Sequence, residues 1–147
     1  MPFSSLLAIV ADLYTPLLGL YYLRNVTRAD LGSKRVLFYL VVFNLAIAWG
    51  GMLADRAGHI WPSWSLDYST HTAVALALVI SLSLSRPAQS VYWAASMFAY
   101  AGLMIMLGYH SAADIMTTAL ATGVLMCAVS MRHYRILRPD GLAPKKE

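Results

Sequence analysis

His71, His110 and Asp114 are the residues of this chain best suited to chemistry. Histidine exchanges its proton near neutral pH, so it can act as nucleophile, acid or base. His71 opens one apolar segment in SLDYSTHTAVALAL, and His110 and Asp114 open another in LGYHSAADIMTTAL. Ionisable groups at the mouths of membrane segments are costly to keep there, which marks them as functional candidates. His110 and Asp114 stand at i and i+4, so a segment helical from the histidine onward would bring the carboxylate to the imidazole and orient it. With His71 opposite, such a set can attack, hold charge and deliver a proton.

The elements that must position them are read from composition. Apolar residues make up 59% of the 147 residues and charged residues 12%. Several runs of about 20 residues are almost free of charge, which excludes an ordinary soluble core. The pattern predicts an all-α, polytopic integral membrane helical bundle with about five transmembrane helices, at 5–23, 35–54, 70–85, 90–108 and 112–132. The third run is short for a bilayer, so it is expected to extend at one end or to leave part of its mouth buried in protein or open to water. Residues 1–138 then form a single transmembrane domain, followed by a short basic tail at 139–147.

Charge orients the bundle. Arg24, Arg28, Lys34, Arg35, Arg86, Arg132, Arg135, Arg138, Lys145 and Lys146 fall on one side of five spans, and Arg56 alone on the other. The positive-inside rule puts the amino terminus out, with the carboxyl terminus and tail in the cytoplasm. His59, His71, His110, Asp55, Asp67 and Asp114 then gather at the outer mouth, facing the exterior or, in a bacterial inner membrane, the periplasm. The net charge of +4 suits contact of the tail with anionic lipid headgroups, and no aromatic-interleaved basic stripe points to nucleic acid. The first run lacks a basic n-region and a small-residue cleavage site, so it is expected to be retained as a span, interrupted by Asp12 and Pro16.

Other residues carry structural expectations. Asp12 and Asn44 read as buried polar contacts between helices, and Cys127 and the 103–107 run read as packing. Trp49, Trp61, Trp64, Trp93, Tyr68 and Tyr109 read as interfacial belt residues, and His59 and His133 as hydrogen-bonded or snorkelling ones. In the outer loop Ser69, Thr70 and Thr72 can cap the third helix, while Asp67 either caps it or joins the site. The fifth helix is expected to start between 110 and 112, so two helix amino termini converge on one pocket suited to a phosphate or another oxyanion.

In Ser69-Thr70-His71-Thr72, and in Gly108, His110 and Asp114, the chain resembles the type 2 phosphatidic acid phosphatase superfamily, including its sphingomyelin-synthase-like branch. That family carries a Ser-Gly-His-Thr-like motif at the outer start of one helix and Gly-x-His-x-x-x-Asp at the start of a later one. The resemblance covers roughly the carboxyl-terminal half. It implies His110 as the nucleophile that attacks phosphorus, Asp114 as its orienter and His71 as the acid that protonates the leaving alcohol. The implied activity is that of a lipid phosphatase or lipid headgroup phosphotransferase, acting on a lipid substrate with no metal or other cofactor. Where the family's phosphatases carry Ser-Arg before the second motif, this chain has Leu103-Met104-Ile105-Met106. The outer-loop lysine-and-Arg-Pro motif is also absent, and Arg86-Pro87 and Arg138-Pro139 mimic its end only on the cytoplasmic side. Arg56 and His59 are then the basic substitutes for substrate binding, beside Asp67, Ser69 and Thr70.

Two further classes stay open. His71, His110 and Asp114, with or without Asp67, also make an acceptable zinc ligand set for a membrane hydrolase, although no HExxH or paired-cysteine spacing is present. A non-catalytic binding or assembly subunit would keep the fold and the histidines without the basic motifs.

Overall fold

Five apolar runs become five helices: α1 (Phe3–Arg28), α2 (Leu31–Gly58), α3 (Thr70–Ser85), α4 (Ser90–Met106) and α5 (Ala112–Leu137). Single 3-10 turns at Pro62–Trp64 and Pro87–Gln89 interrupt the connections on either side of α3. The structure is a computed structural model that describes residues 3–137, with side chains described from 5 to 133. The basic tail expected at 139–147 and the Arg138-Pro139 pair lie outside the described residues. α1 and α2 outrun the expected 5–23 and 35–54 because hydropathy marks only the apolar part of a helix. Its polar ends are set by caps, as where the Asp30 carboxylate accepts from the Ser33 N–H at 2.9 Å and starts α2.

α1, α2 and α5 have 26, 28 and 26 residues, about 39–42 Å of rise, against a hydrocarbon core of roughly 30 Å. These three are long and apolar enough to cross a membrane. Their outward faces expose Leu13, Leu17, Phe38, Leu53, Leu120 and Val124, a surface that lipid covers and water does not tolerate. This is a membrane protein.

α3 is different. Its 16 residues rise only about 24 Å, yet it touches every other helix. It does so because Ala73, Ala75, Ala77 and Ser81, each 0% exposed, let neighbouring backbones come close. The apolar core forms around it, with Ala48, Trp61 and Met126 on the side of α2 and α5, and Tyr14, Tyr100 and Met104 on the side of α1 and α4. Tyr14 and Tyr100 stack with ring centroids 4.2 Å apart.

Asn44 is the buried helix-to-helix contact expected of it. Its Nδ2 donates to Ser81 Oγ on α3 and its Oδ1 accepts from Ser130 Oγ on α5, both at 3.0 Å. Asp12 is not buried: Ala11, 1% exposed, takes the inward position of that turn and leaves the carboxylate on the outer face. Cys127 likewise is exposed beside the fully buried Met126. In the 103–107 run Met104 packs inside, whereas Met106, a little over half a turn on, faces out.

Replacing Asn44 by Ala removes an acceptor from Ser130 and a donor from Ser81. The expected loss is about 1–2 kcal/mol of stability, against less than about 0.5 for Asp12→Asn. Reversible unfolding in mixed micelles measures both. Equal effects would show that the Asn44 cluster does not hold α2, α3 and α5 together.

Candidate functional site at the histidine mouth

The loop from α2 to α3 is shaped by its first and last residues. α2 ends where His59 takes the left-handed conformation (φ 48°) and its N–H donates to the Asp55 carbonyl at 2.7 Å. Just beyond it, the Trp61 N–H donates to Asp55 Oδ1, also at 2.7 Å. Trp61 then turns inward. Its indole N–H donates to Thr117 Oγ1 at 3.0 Å, and its ring meets Tyr68 edge-on with centroids 4.9 Å apart. Trp61 and Tyr68 are therefore core residues of the loop and not belt residues, while Trp49 and Trp64 remain exposed as expected. The rings turn inward because each polar end finds a partner there, which lets the aromatic body be buried.

Tyr68 crosses over α2, where its hydroxyl donates to the Ala48 carbonyl at 2.7 Å. Gly51 makes room for it, since a Cβ at that position would lie 2.7 Å from the phenol oxygen. Burial, and after it the Asp55 carboxylate, push the Tyr68 phenol up to about 12, so it stays a neutral donor.

Asp114 fastens this loop to α5. Its Oδ1 accepts from the Asp67 N–H at 2.8 Å. Its Oδ2 accepts from the Ser111 N–H at 2.8 Å and from the Ser111 hydroxyl at 2.7 Å. The Asp114 N–H in turn donates to Ser111 Oγ at 3.2 Å, which closes a reciprocal capping box at the start of α5. One turn on, Thr118 Oγ1 accepts from the Ser69 N–H at 3.1 Å. Asp114, Thr117 and Thr118 thus stand at i, i+3 and i+4, a single helix face that takes the whole loop. The roles of Ser111, Thr117 and Thr118 were not anticipated, although the Ser-x-x-Asp spacing was the readable sign of the box.

The histidines lie beside this seam. α4 ends in a Schellman turn: the Gly108 N–H donates to the Ile105 carbonyl and the Tyr109 N–H to the Met104 carbonyl, at 3.0 and 3.1 Å. Gly108 has φ 69°, which glycine adopts without strain, and the reversal presents His110 to α3. His71 stands in the first turn of α3 with its ring centroid 6.4 Å from that of His110. His110 Nδ1 is 3.5 Å from Asp67 Oδ2, an ion-pair approach beyond hydrogen-bond length, and that nitrogen is buried with no hydrogen-bond partner.

The expected Asp114 to His110 contact is therefore replaced. His110 precedes α5, which begins at Ala112, so the i and i+4 helical relation does not apply, and Asp114 is fully engaged by Ser111 and Asp67. The carboxylate that faces His110 belongs to Asp67, whose side chain is 72% exposed. Asp67 does not cap α3. That cap is Ser69, whose Oγ accepts from the Thr72 N–H at 3.3 Å. Ser69 is 0% exposed and bonded to Thr72, so a substrate cannot reach its hydroxyl, while Thr70 is half-buried at the start of α3. Arg56 and His59 are exposed at the end of α2, with no hydrogen bond or ion pair to either imidazole. Among the described residues no group of three or more His, Cys, Asp or Glu is placed to hold a metal ion.

No family model, curated protein or solved structure matches this chain. The chemistry open to the mouth is set by its own groups: one imidazole from the first turn of α3, one from the α4–α5 turn, and one carboxylate in water.

Asp114→Ala should unfasten the loop and open the capping box at a cost of about 1–3 kcal/mol. Asp67→Asn, at an exposed side chain, should change stability by less than about 0.5 kcal/mol. Denaturant unfolding of the two purified variants reads the ranking, and the reverse order would remove Asp114 from its fastening role.

Proposed function

We propose that this chain is a membrane-embedded lipid phosphatase or lipid headgroup phosphotransferase, of the type 2 phosphatidic acid phosphatase kind, with His110 as nucleophile and His71 as general acid. The observation that carries the reading is the pairing of two imidazoles, 6.4 Å apart, at a mouth where α3 and α5 both begin. A tetrahedral phosphoryl group about 3 Å from each ring bridges such a pair. Asp67, on the Nδ1 side of His110, orients the ring and leaves Nε2 for attack.

In the first step His110 Nε2 forms a bond to phosphorus, the P–O bond to the lipid alcohol breaks, and His71 delivers its proton to the departing oxygen. In the second, water or another alcohol attacks the phosphohistidine, gives its proton to His71 and frees His110. First-turn N–H groups of α5 at Ala112 and Ala113 supply donors for the equatorial oxygens, which offsets in part the missing family arginine. Arg56, exposed on the last turn of α2, supplies the cation.

The same reading takes α3 and α4 as the two remaining crossings of a five-span bundle. The histidine mouth then faces the exterior or periplasm of a bacterial inner membrane, supported by Arg24, Arg28, Lys34, Arg35, Arg86 and Arg132 at the opposite end. Single cysteines in a Cys127→Ser background test it with an impermeant reagent. Labelling is expected at position 63 and not at position 34, and the opposite pattern inverts the topology.

Turnover of a lipid-phosphate panel, quenched with denaturant, tests the chemistry. Wild-type protein should hold acid-labile phosphate, and His110→Ala should hold none. His71→Ala should lose roughly 10²–10⁴-fold with lipid substrates but keep part of its rate with activated esters that need no acid. Asp67→Asn should slow phosphorylation more than Asp114→Asn does, once both are corrected for folded protein. Turnover without trapped phosphate and with bound zinc would replace this mechanism by a metal hydrolase, and full function without the histidines would leave a non-catalytic subunit.

A further inference from the structure

At the far end of the bundle from the histidines, α1 ends, α2 begins and α3 passes to α4. Between these three ends lies a cleft of about 350 Å³, lined among others by Asn25, Arg28, Asp30, Ser33, Ser85 and Arg86. The two arginines arrive from different elements, the last turn of α1 and the cap that ends α3. Against them stands one carboxylate, Asp30, whose Oδ2 accepts from the Ser33 N–H at 2.9 Å. The cleft wall is thus net positive.

Asn25 adds a separate observation. It is 9% exposed, it lines the cleft, and its Nδ2 has no hydrogen-bond partner. Nearly all buried polar groups in folded proteins are bonded, so a buried amide donor without a partner, beside a cationic wall, points to an acceptor that binds there. Planar guanidinium groups match the oxygens of a phosphate in paired hydrogen bonds. A cleft at the ends of membrane helices lies at headgroup depth.

We propose that this cleft is a phosphate-group site, held by Arg28, Arg86 and Asn25, whose ligand is either the headgroup of an anionic membrane lipid or free phosphate. It is separate from the histidine mouth and does not depend on the reaction proposed there.

The test takes the full chain from nanodiscs of phosphatidylcholine, with or without phosphatidylglycerol, and counts retained lipids by native mass spectrometry. Wild-type protein should keep phosphatidylglycerol over phosphatidylcholine. Arg28→Gln with Arg86→Gln should lower that retention about tenfold, while Arg132→Gln, an exposed cation outside the cleft, should keep it. Asn25→Asp, close in shape but negatively charged, should lower retention too, and it decides the matter if the double variant does not fold. In a parallel arm, inorganic phosphate that raises the melting temperature and displaces the lipid would identify free phosphate as a ligand. Lipid retention unaffected by phosphate would identify the headgroup. No preference for phosphatidylglycerol together with no response to phosphate overturns the site, as does an equal loss in Arg132→Gln or full retention in Asn25→Asp.

Discussion

The close approach of four helices to α3 is the constraint on which everything else depends. A helix too short to span comfortably can occupy the centre only if its side chains are small, and Ala73, Ala75, Ala77 and Ser81 meet that condition. Without water to drive apolar association inside a bilayer, packing and a few hydrogen bonds must do the work. Asn44, bonded to both Ser81 and Ser130, supplies the polar part at the middle of the bundle. Because α3 is short and central, its amino terminus stops within the protein. The first turn leaves His71 exposed beside the end of the α2–α3 loop and the turn that precedes α5.

The histidine mouth is built by a division of labour between two aspartates. Asp114 accepts three hydrogen bonds and joins loop to helix, and Asp67 keeps its side chain in water beside His110. A buried carboxylate bonded by backbone N–H and hydroxyl donors is a structural anchor. An exposed one near an imidazole is free to change partners. The same loop gives its backbone to one role and a side chain to the other.

The helices were legible in the sequence because an uncharged run of about 20 residues has few alternatives in a membrane protein. The 70–85 run even matched α3 at both ends, since Ser69 and the Arg86-Pro87 pair bound it chemically. The convergence of His71 and His110 was legible as well, because both open apolar helices at the same end. Fine pairing was not. Whether Asp114 turns to His110 or to Ser111 depends on where α5 starts, and one turn of uncertainty changes the partner. The inward turn of Trp61 and Tyr68 was hidden for a related reason: their polar partners, Thr117 and the Ala48 carbonyl, are distant in sequence. Asp12 was misread as buried because the first helix is apolar around nearly its whole circumference, which leaves little periodic mark of the inner face.

The Schellman turn at Gly108 has a consequence for how this segment can vary. Its two hydrogen bonds fix the end of α4 through the backbone alone, and the capping box fixes the start of α5 only three residues later. His110 is thus held between a backbone clamp and a side-chain cap. Side-chain identity at Tyr109, which is exposed, is free to drift, but chain length is not. One residue added to α4 would turn its end by about 100° and carry the imidazole away from His71. Such a segment accepts substitution and rejects insertion.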